Sequence, residues 1–149
     1  MGGVAGRGRL FTEHGSRVTP QAFEVGVVAQ FEAAHRLNGD FGPAQRLHGH
    51  TYRVEVAVRG GSLRSDGTLC DIGVVQAAAQ AAAAELHYRD LDELAAFDQL
   101  NTTAEVVALH LWNQIAPRLQ GLGVESLAVR LWESPQAYAQ YEARLTNSG

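Results

Sequence analysis

Leu47-His48-Gly49-His50-Thr51-Tyr52-Arg53-Val54-Glu55-Val56-Ala57-Val58 is the stretch on which the fold turns. His50, Tyr52, Val54, Val56 and Val58 fall on alternate positions, the period of a half-buried strand. His48 and His50 therefore project from the face that carries Tyr52 and the valines. Upstream, Phe23, Val25, Val27, Ala29, Phe31 and Ala33 alternate in the same way. Leu37 to Pro43, rich in Asn, Gly and Asp, leaves room only for a connection, so the two strands are expected to pair antiparallel.

Further along, Asp71 is placed to cap an Ala-rich helix from about Gly73 to Leu86. A charged connector, residues 88–93, leads to Thr102-Thr103-Ala104-Glu105, which has the S/T-x-x-E form of a capping box. Val106, Leu109 and Ile115 then recur at helical spacing, and Gly121 and Gly123 close that helix. Leu127, Val129 and Leu131 alternate as a third strand, and Ala137, Ala139 and Tyr141 as a fourth after Ser134-Pro135. The expected order is β-β-α-α-β-β: an α+β fold with a four-stranded antiparallel sheet and two helices on one face. Such a sheet has two open edges, which closure into a barrel by oligomerisation would remove. Residues 1–21, which include His14, lack periodicity and read as a flexible N-terminal extension; residues 22–145 read as a single domain.

Composition narrows the function. The 149 residues carry a net charge of −4, which argues against a nucleic-acid binder or a basic membrane-surface patch. No apolar stretch approaches the ~20 residues of a membrane span. All twelve basic residues are Arg, so no lysine Schiff base can form. Cys70 is the only cysteine, expected as a buried apolar residue in a cytoplasmic protein.

His35 stands at the end of the first strand's apolar row, after Phe31 and Ala33. His35, His48 and His50 thus extend two apolar faces that one loop joins. Three imidazoles with an open fourth position suit a catalytic zinc ion, although histidines packed in a core satisfy the same pattern. Glu133 extends the third strand's row in the same manner. A carboxylate there is placed to accept paired hydrogen bonds from an amino-heterocycle, or else stands as a solvated strand-end acid. Thr102 and Thr103 read first as helix caps and second as ligand contacts.

Phe31-Glu32-Ala33-Ala34-His35-Arg36-Leu37, Leu47 to Tyr52, Leu86 to Asp92, Asn101 to Glu105 and Leu131-Trp132-Glu133-Ser134 together resemble the 6-pyruvoyl-tetrahydropterin synthase family. That family includes the 6-carboxy-tetrahydropterin synthases of the queuosine route. The resemblance implies the tunnelling fold: three chains closing a barrel, two trimers stacked as a homohexamer, and active sites between subunits. It also implies Zn2+ on His35, His48 and His50, a pterin held by Glu133 with Thr103, and dihydroneopterin triphosphate as the usual substrate. Arg36 and Arg46 are candidate phosphate contacts.

The sequence also departs from the family. Ala44 occupies the position, four residues before His48, where the family carries a cysteine, and its neighbour is Gln45 rather than a glutamate. The family's Asp-His dyad falls on His87-Tyr88, which become the candidate catalytic residues, with Asp90 or Asp92 as partners for a shifted His87. The expected function is a zinc-dependent lyase of this family with non-standard acid–base residues. The alternative is a catalytically silent paralogue that binds a pterin or purine-like ligand. A plain zinc hydrolase using Glu32 or Glu133 as base is disfavoured because no His-Glu-x-x-His helix is present.

Overall fold

The computed structural model describes residues 22–146, so the expected extension over residues 1–21, His14 included, lies outside the described residues. Two long strands, β1 (Phe23–His35) and β2 (His48–Gly60), pair antiparallel without interruption, from Phe23 opposite Gly60 to His35 opposite His48. A slip of one residue would turn Phe31, Tyr52, Val54, Val56 and Val58, all fully buried, onto the opposite face. Phe31 and Tyr52, directly opposite one another, stack with ring centroids 4.8 Å apart. Such cross-strand pairs help pin the register.

β4 (Ser126–Ser134) pairs antiparallel with β2, and β5 (Ala137–Arg144) folds back on β4. The sheet has one more strand than the four expected. β3 (Arg89–Asp90) lies parallel to β1 at Ala33–Ala34, which makes the sheet five-stranded and mixed, in the order β3-β1-β2-β4-β5. No hydrophobic alternation announces two charged residues. Backbone chemistry holds the segment: the Tyr88 N–H donates to the Glu32 carbonyl at 2.6 Å, just before β3 begins.

Both helices cover one face of the sheet, as expected. In α1 (Ile72–Leu86), Asp71 caps the first turn by accepting from the Gly73 N–H at 2.9 Å. Its buried face, Val75, Ala78, Ala79, Ala82, Ala83 and Leu86, consists mostly of alanines, which let the helix lie close on β1. α2 (Ala104–Ile115) buries Ala104, Val107, Ala108, Leu111 and Ile115. Two expectations are corrected here. The cap of α2 is Thr103, which accepts from the Val106 N–H, so Glu105 closes no capping box on Thr102. Leu109, expected on the apolar stripe, is exposed. Trp112 ties α2 to the sheet by donating its indole N–H to the Leu127 carbonyl at 2.8 Å. Cys70 is buried, and burial pushes its thiol pKa up, which fits an unreactive packing role.

The sheet remains open. Before Ala33, β1 pairs only with β2 among the described residues, and β5 forms the other edge. No described helix is long and apolar enough to cross a membrane. Leu131 is fully buried in β4 opposite Val54, two residues before Glu133. Leu131→Ala is expected to lower the unfolding free energy by about 2–5 kcal/mol, read as a reduced urea midpoint at constant slope.

Candidate functional site

The hairpin register places His35 directly opposite His48, and His50 follows one pleat further along the same face. The His35 ring lies 4.6 Å from that of His48 and 5.1 Å from that of His50, with 4.8 Å between His48 and His50. Their ligand nitrogens all lie within 4.8 Å of one another, a grouping that can hold a metal ion. His35 is buried at 1% exposure, while His48 and His50 are half-buried. The centre therefore has a closed floor and an accessible mouth.

Hydrogen bonds orient these rings. His35 Nδ1 lies 2.8 Å from the Thr102 carbonyl, and His48 Nδ1 lies 2.7 Å from the Arg46 carbonyl. A carbonyl only accepts, so both Nδ1 atoms carry hydrogen and both Nε2 atoms keep their lone pairs. His50 is hydrogen-bonded to the backbone of Glu133. This is the outer support that metal-binding imidazoles ordinarily have. Nε2 of His35 is buried without a hydrogen-bond partner among the described residues. A buried bare lone pair is costly in a packed interior, and a metal ion would relieve that cost.

Burial dominates the titration of two ligands. It lowers the pKa of His35, against the opposing Thr102 hydrogen bond, and it lowers that of His50, with the neighbouring His35 adding to the effect. Both are thereby kept neutral, the form that binds metal. The Tyr52 hydroxyl lies beside them, buried and without a hydrogen-bond partner among the described residues, its pKa pushed up by burial.

Glu133 arrives at the same centre from β4. It sits within the register shift between Trp132 and Ser134, where a bulge re-aims a side chain. Its carboxylate acts electrostatically on His35, His50 and Tyr52. Thr103 spends its backbone N–H on the Asn101 carbonyl and its oxygen on capping α2, which leaves its hydroxyl proton to donate. Thr102 differs from the expected ligand contact: it is fully buried, and its hydroxyl donates to Asp92 Oδ1 at 2.9 Å. Arg36 and Arg46 are both exposed, and their described hydrogen bonds are made by backbone atoms.

The candidate pair His87 and Tyr88 stands at the sheet edge. Glu32 donates its N–H to His87 Nδ1 at 3.0 Å, so that nitrogen is occupied as an acceptor. His87 borders a pocket with Val28, Gln80 and Ala84, apart from the imidazole cluster. Tyr88 lies against the His87 ring, 3.8 Å between centroids, with a backbone φ of 59°. That φ is uncommon for a bulky residue and marks a constrained position. At 77% exposure, Tyr88 borders an open cleft of about 550 Å³ that also contains His50, Thr51 and Asp90. Neither acidic partner weighed for His87 reaches it: Asp90 caps the turn at Asp92, and Asp92 engages Thr102 and the Arg36 N–H.

Tyr52 is a site residue that sequence patterning did not assign, and Asp92, expected only as a partner for His87, stands instead beside Thr102 and Arg36. Tyr52 lies in the buried row but was indistinguishable from core, and Asp92 acts from a 3-10 turn that has no periodicity to read. Because the pKa values of His35 and His50 lie below their unfolded reference of about 6.5, the unfolded chain takes up protons first as pH falls. The half-buried His110, whose pKa is also lowered by desolvation, acts in the same sense. The metal-free protein is therefore expected to keep this stability above pH ~6.5 and lose it progressively below, read as a falling urea midpoint between pH 7.5 and 5.

Comparison with known proteins identifies the family. The family model described as 6-pyruvoyl tetrahydropterin synthase matches residues 24–144. The 6-carboxy-5,6,7,8-tetrahydropterin synthase of Rickettsia felis is 30% identical over 131 residues, covering 74% of this chain and 94% of that protein. The enzyme of the same name from Haemophilus influenzae is 26% identical over 143 residues, covering 80% of this chain and 99% of its own. Among solved structures, Caenorhabditis elegans 6-pyruvoyl tetrahydropterin synthase superposes with a TM-score of 0.70 at 21% identity, over 83% of this chain and 96% of that one. Plasmodium vivax 6-pyruvoyltetrahydropterin synthase gives 0.68 at 19% identity, over 83% and 99%. At these identities the structural likeness establishes the shared tunnelling fold. The match over nearly all of the described sheet and helices establishes more: this chain belongs to the 6-pyruvoyl tetrahydropterin synthase family.

Proposed function

We propose that this chain is a zinc-dependent lyase of the pterin synthase type, acting on dihydroneopterin triphosphate or a related pterin with a non-standard acid–base set. The observation that carries this reading is the bare, buried Nε2 of His35 beside His48 and His50, on rings held from behind by backbone groups. That donor set fits zinc, which when bound supplies Lewis acidity toward substrate oxygens. Glu133 anchors the amino-pyrimidine edge of the pterin through paired hydrogen bonds, and the Thr103 hydroxyl donates a further one. Ala44 offers no proton-transfer group where the family has a thiol. The remaining candidate on this chain is Tyr88, which shares the cleft with His50, while His87 braces its ring.

The two open sheet edges support assembly as a homohexamer of two trimers, in which a neighbouring chain would complete each cleft. A cytoplasmic role in the supply of a queuosine precursor belongs to this reading.

A second reading has its own observation. The Nδ1 of His87 is occupied by Glu32, and Tyr88 is 77% exposed, its hydroxyl making no hydrogen bond among the described residues. A paralogue that binds a pterin or purine-like ligand without turning it over would need neither residue.

Incubating the purified zinc-loaded protein with dihydroneopterin triphosphate separates the two readings. Loss of triphosphate or side chain supports the lyase; retained zinc and tight binding without product supports the binder. His48→Ala is expected to abolish stoichiometric zinc, and full occupancy in that variant would remove the site assignment. Glu133→Gln is expected to weaken pterin binding by roughly 10- to 150-fold, the worth of about 1.5–3 kcal/mol for a charged hydrogen bond, with zinc content unchanged. Equal pterin affinity in this variant, measured by calorimetry, would end its anchoring role.

A further inference from the structure

Asp92 lies on a short 3-10 turn, outside the sheet's long strands and both α-helices, yet its two carboxylate oxygens join separate parts of the site. Oδ2 accepts from the Arg36 N–H at 2.7 Å, one residue beyond His35, and Oδ1 accepts from the Thr102 hydroxyl at 2.9 Å. Thr102 is fully buried, and a hydroxyl has one proton, here committed to Asp92. What Thr102 turns toward His35 is therefore lone pairs only: its carbonyl oxygen at 2.8 Å and its hydroxyl oxygen at 3.3 Å from Nδ1. With acceptors on that side, the ring hydrogen belongs on Nδ1 and the lone pair on the partnerless Nε2.

We propose that Asp92 is a positioning residue of the three-histidine centre, acting through Thr102 to fix the tautomer and aim of the His35 ring and through the Arg36 N–H to hold its backbone. The proposal rests on the metal-centre reading above. A carboxylate is needed because it can only accept. An amide at position 92 can present N–H to the Thr102 oxygen instead, which lets the hydroxyl proton compete for Nδ1 and leaves the Thr102 carbonyl alone to favour a bare Nε2. Removing the hydroxyl, as in Thr102→Val, leaves Asp92 Oδ1 facing a methyl group and the ring held by a single acceptor. The half-buried turn at Leu91–Glu93 and the buried strand end are thereby coupled.

The test uses the full chain, stripped of metal with a chelator and then titrated with Zn2+ and Co2+ in competition with a chelating dye. Asp92→Asn and Thr102→Val are expected to lose about 10- to 100-fold in metal affinity, the range for outer-shell partners of metal-bound histidine. Thr102→Ser, which restores the hydroxyl, is expected to return affinity close to that of the unaltered chain. Two further readouts separate positioning from general damage: the ring 15N shifts of His35 in the metal-free protein, and the absorption spectrum of bound Co2+. A mixture of tautomers in Asp92→Asn, with the metal-free melting curve retained, supports the relay. Unchanged affinity and a single His35 tautomer in both Asp92→Asn and Thr102→Val overturn it. Should Asp92→Asn fail to fold, the contrast between Thr102→Val and Thr102→Ser decides. Failure of the unaltered chain to bind either metal would sink the metal-centre reading instead, and the tautomer measurement would still report on the relay.

Discussion

Everything at the site depends on the register of the β1–β2 hairpin. Residues along it come in opposed pairs, and the same phase that buries Phe31 against Tyr52 sets His35 against His48. A sheet has a side-chain period of two, so the core and the imidazoles cannot be displaced independently. Burial of Val54, Val56 and Val58 therefore does more than contribute hydrophobic stability. It fixes which face the histidines share, and the free energy of the core holds a polar cluster at the strand end that would not hold itself.

Polar atoms complete what the register begins. A buried imidazole must satisfy two nitrogens, and the chain satisfies one on each ring with backbone or near-backbone groups: Thr102 for His35, Arg46 for His48 and Glu133 for His50. These groups come from three different segments, so the cluster also gathers the start of α2, the loop before β2 and the end of β4 around one point. The other nitrogen of His35 is left without a partner. That imbalance is local and buried, and it carries the functional argument because ordinary folding would tend to remove it.

The strands and both helices were legible in sequence because they obey simple periods, and the three histidines were legible because they continue those periods beyond the apolar residues. Asp71 was legible as a cap from residue type and position alone. The remainder depends on contacts far apart in sequence. β3 is two charged residues held by backbone pairing with β1, and no side-chain pattern marks it. Thr102 and Thr103 are adjacent and chemically alike, and only the start of α2 decides that Thr103 caps while Thr102 turns inward to Asp92 and His35. Leu109 fits a helical stripe that the observed rotation of α2 turns outward in favour of Val107, Ala108 and Leu111.

His87 shows why a position matched to a family motif does not carry its chemistry with it. Residues 87 and 88 occupy the place of an acid–base pair, yet here the imidazole serves the sheet: it accepts the Glu32 N–H at a point where β1 would otherwise expose an unpaired donor. The next residue returns the chain to the same Glu32 through its own N–H, and Tyr88 takes a left-handed backbone conformation in doing so. Side chain and backbone thus form a short clasp on one edge residue, immediately before β3. A group already holding the edge in this way is not free to shuttle protons through that nitrogen, and with Nδ1 accepting, the neutral ring carries its hydrogen on Nε2, which leaves no lone pair there to act as a base. The imidazole cluster carries no such duty: its three rings are gathered within one chain, and His35 Nε2 has no hydrogen-bond partner among the described residues.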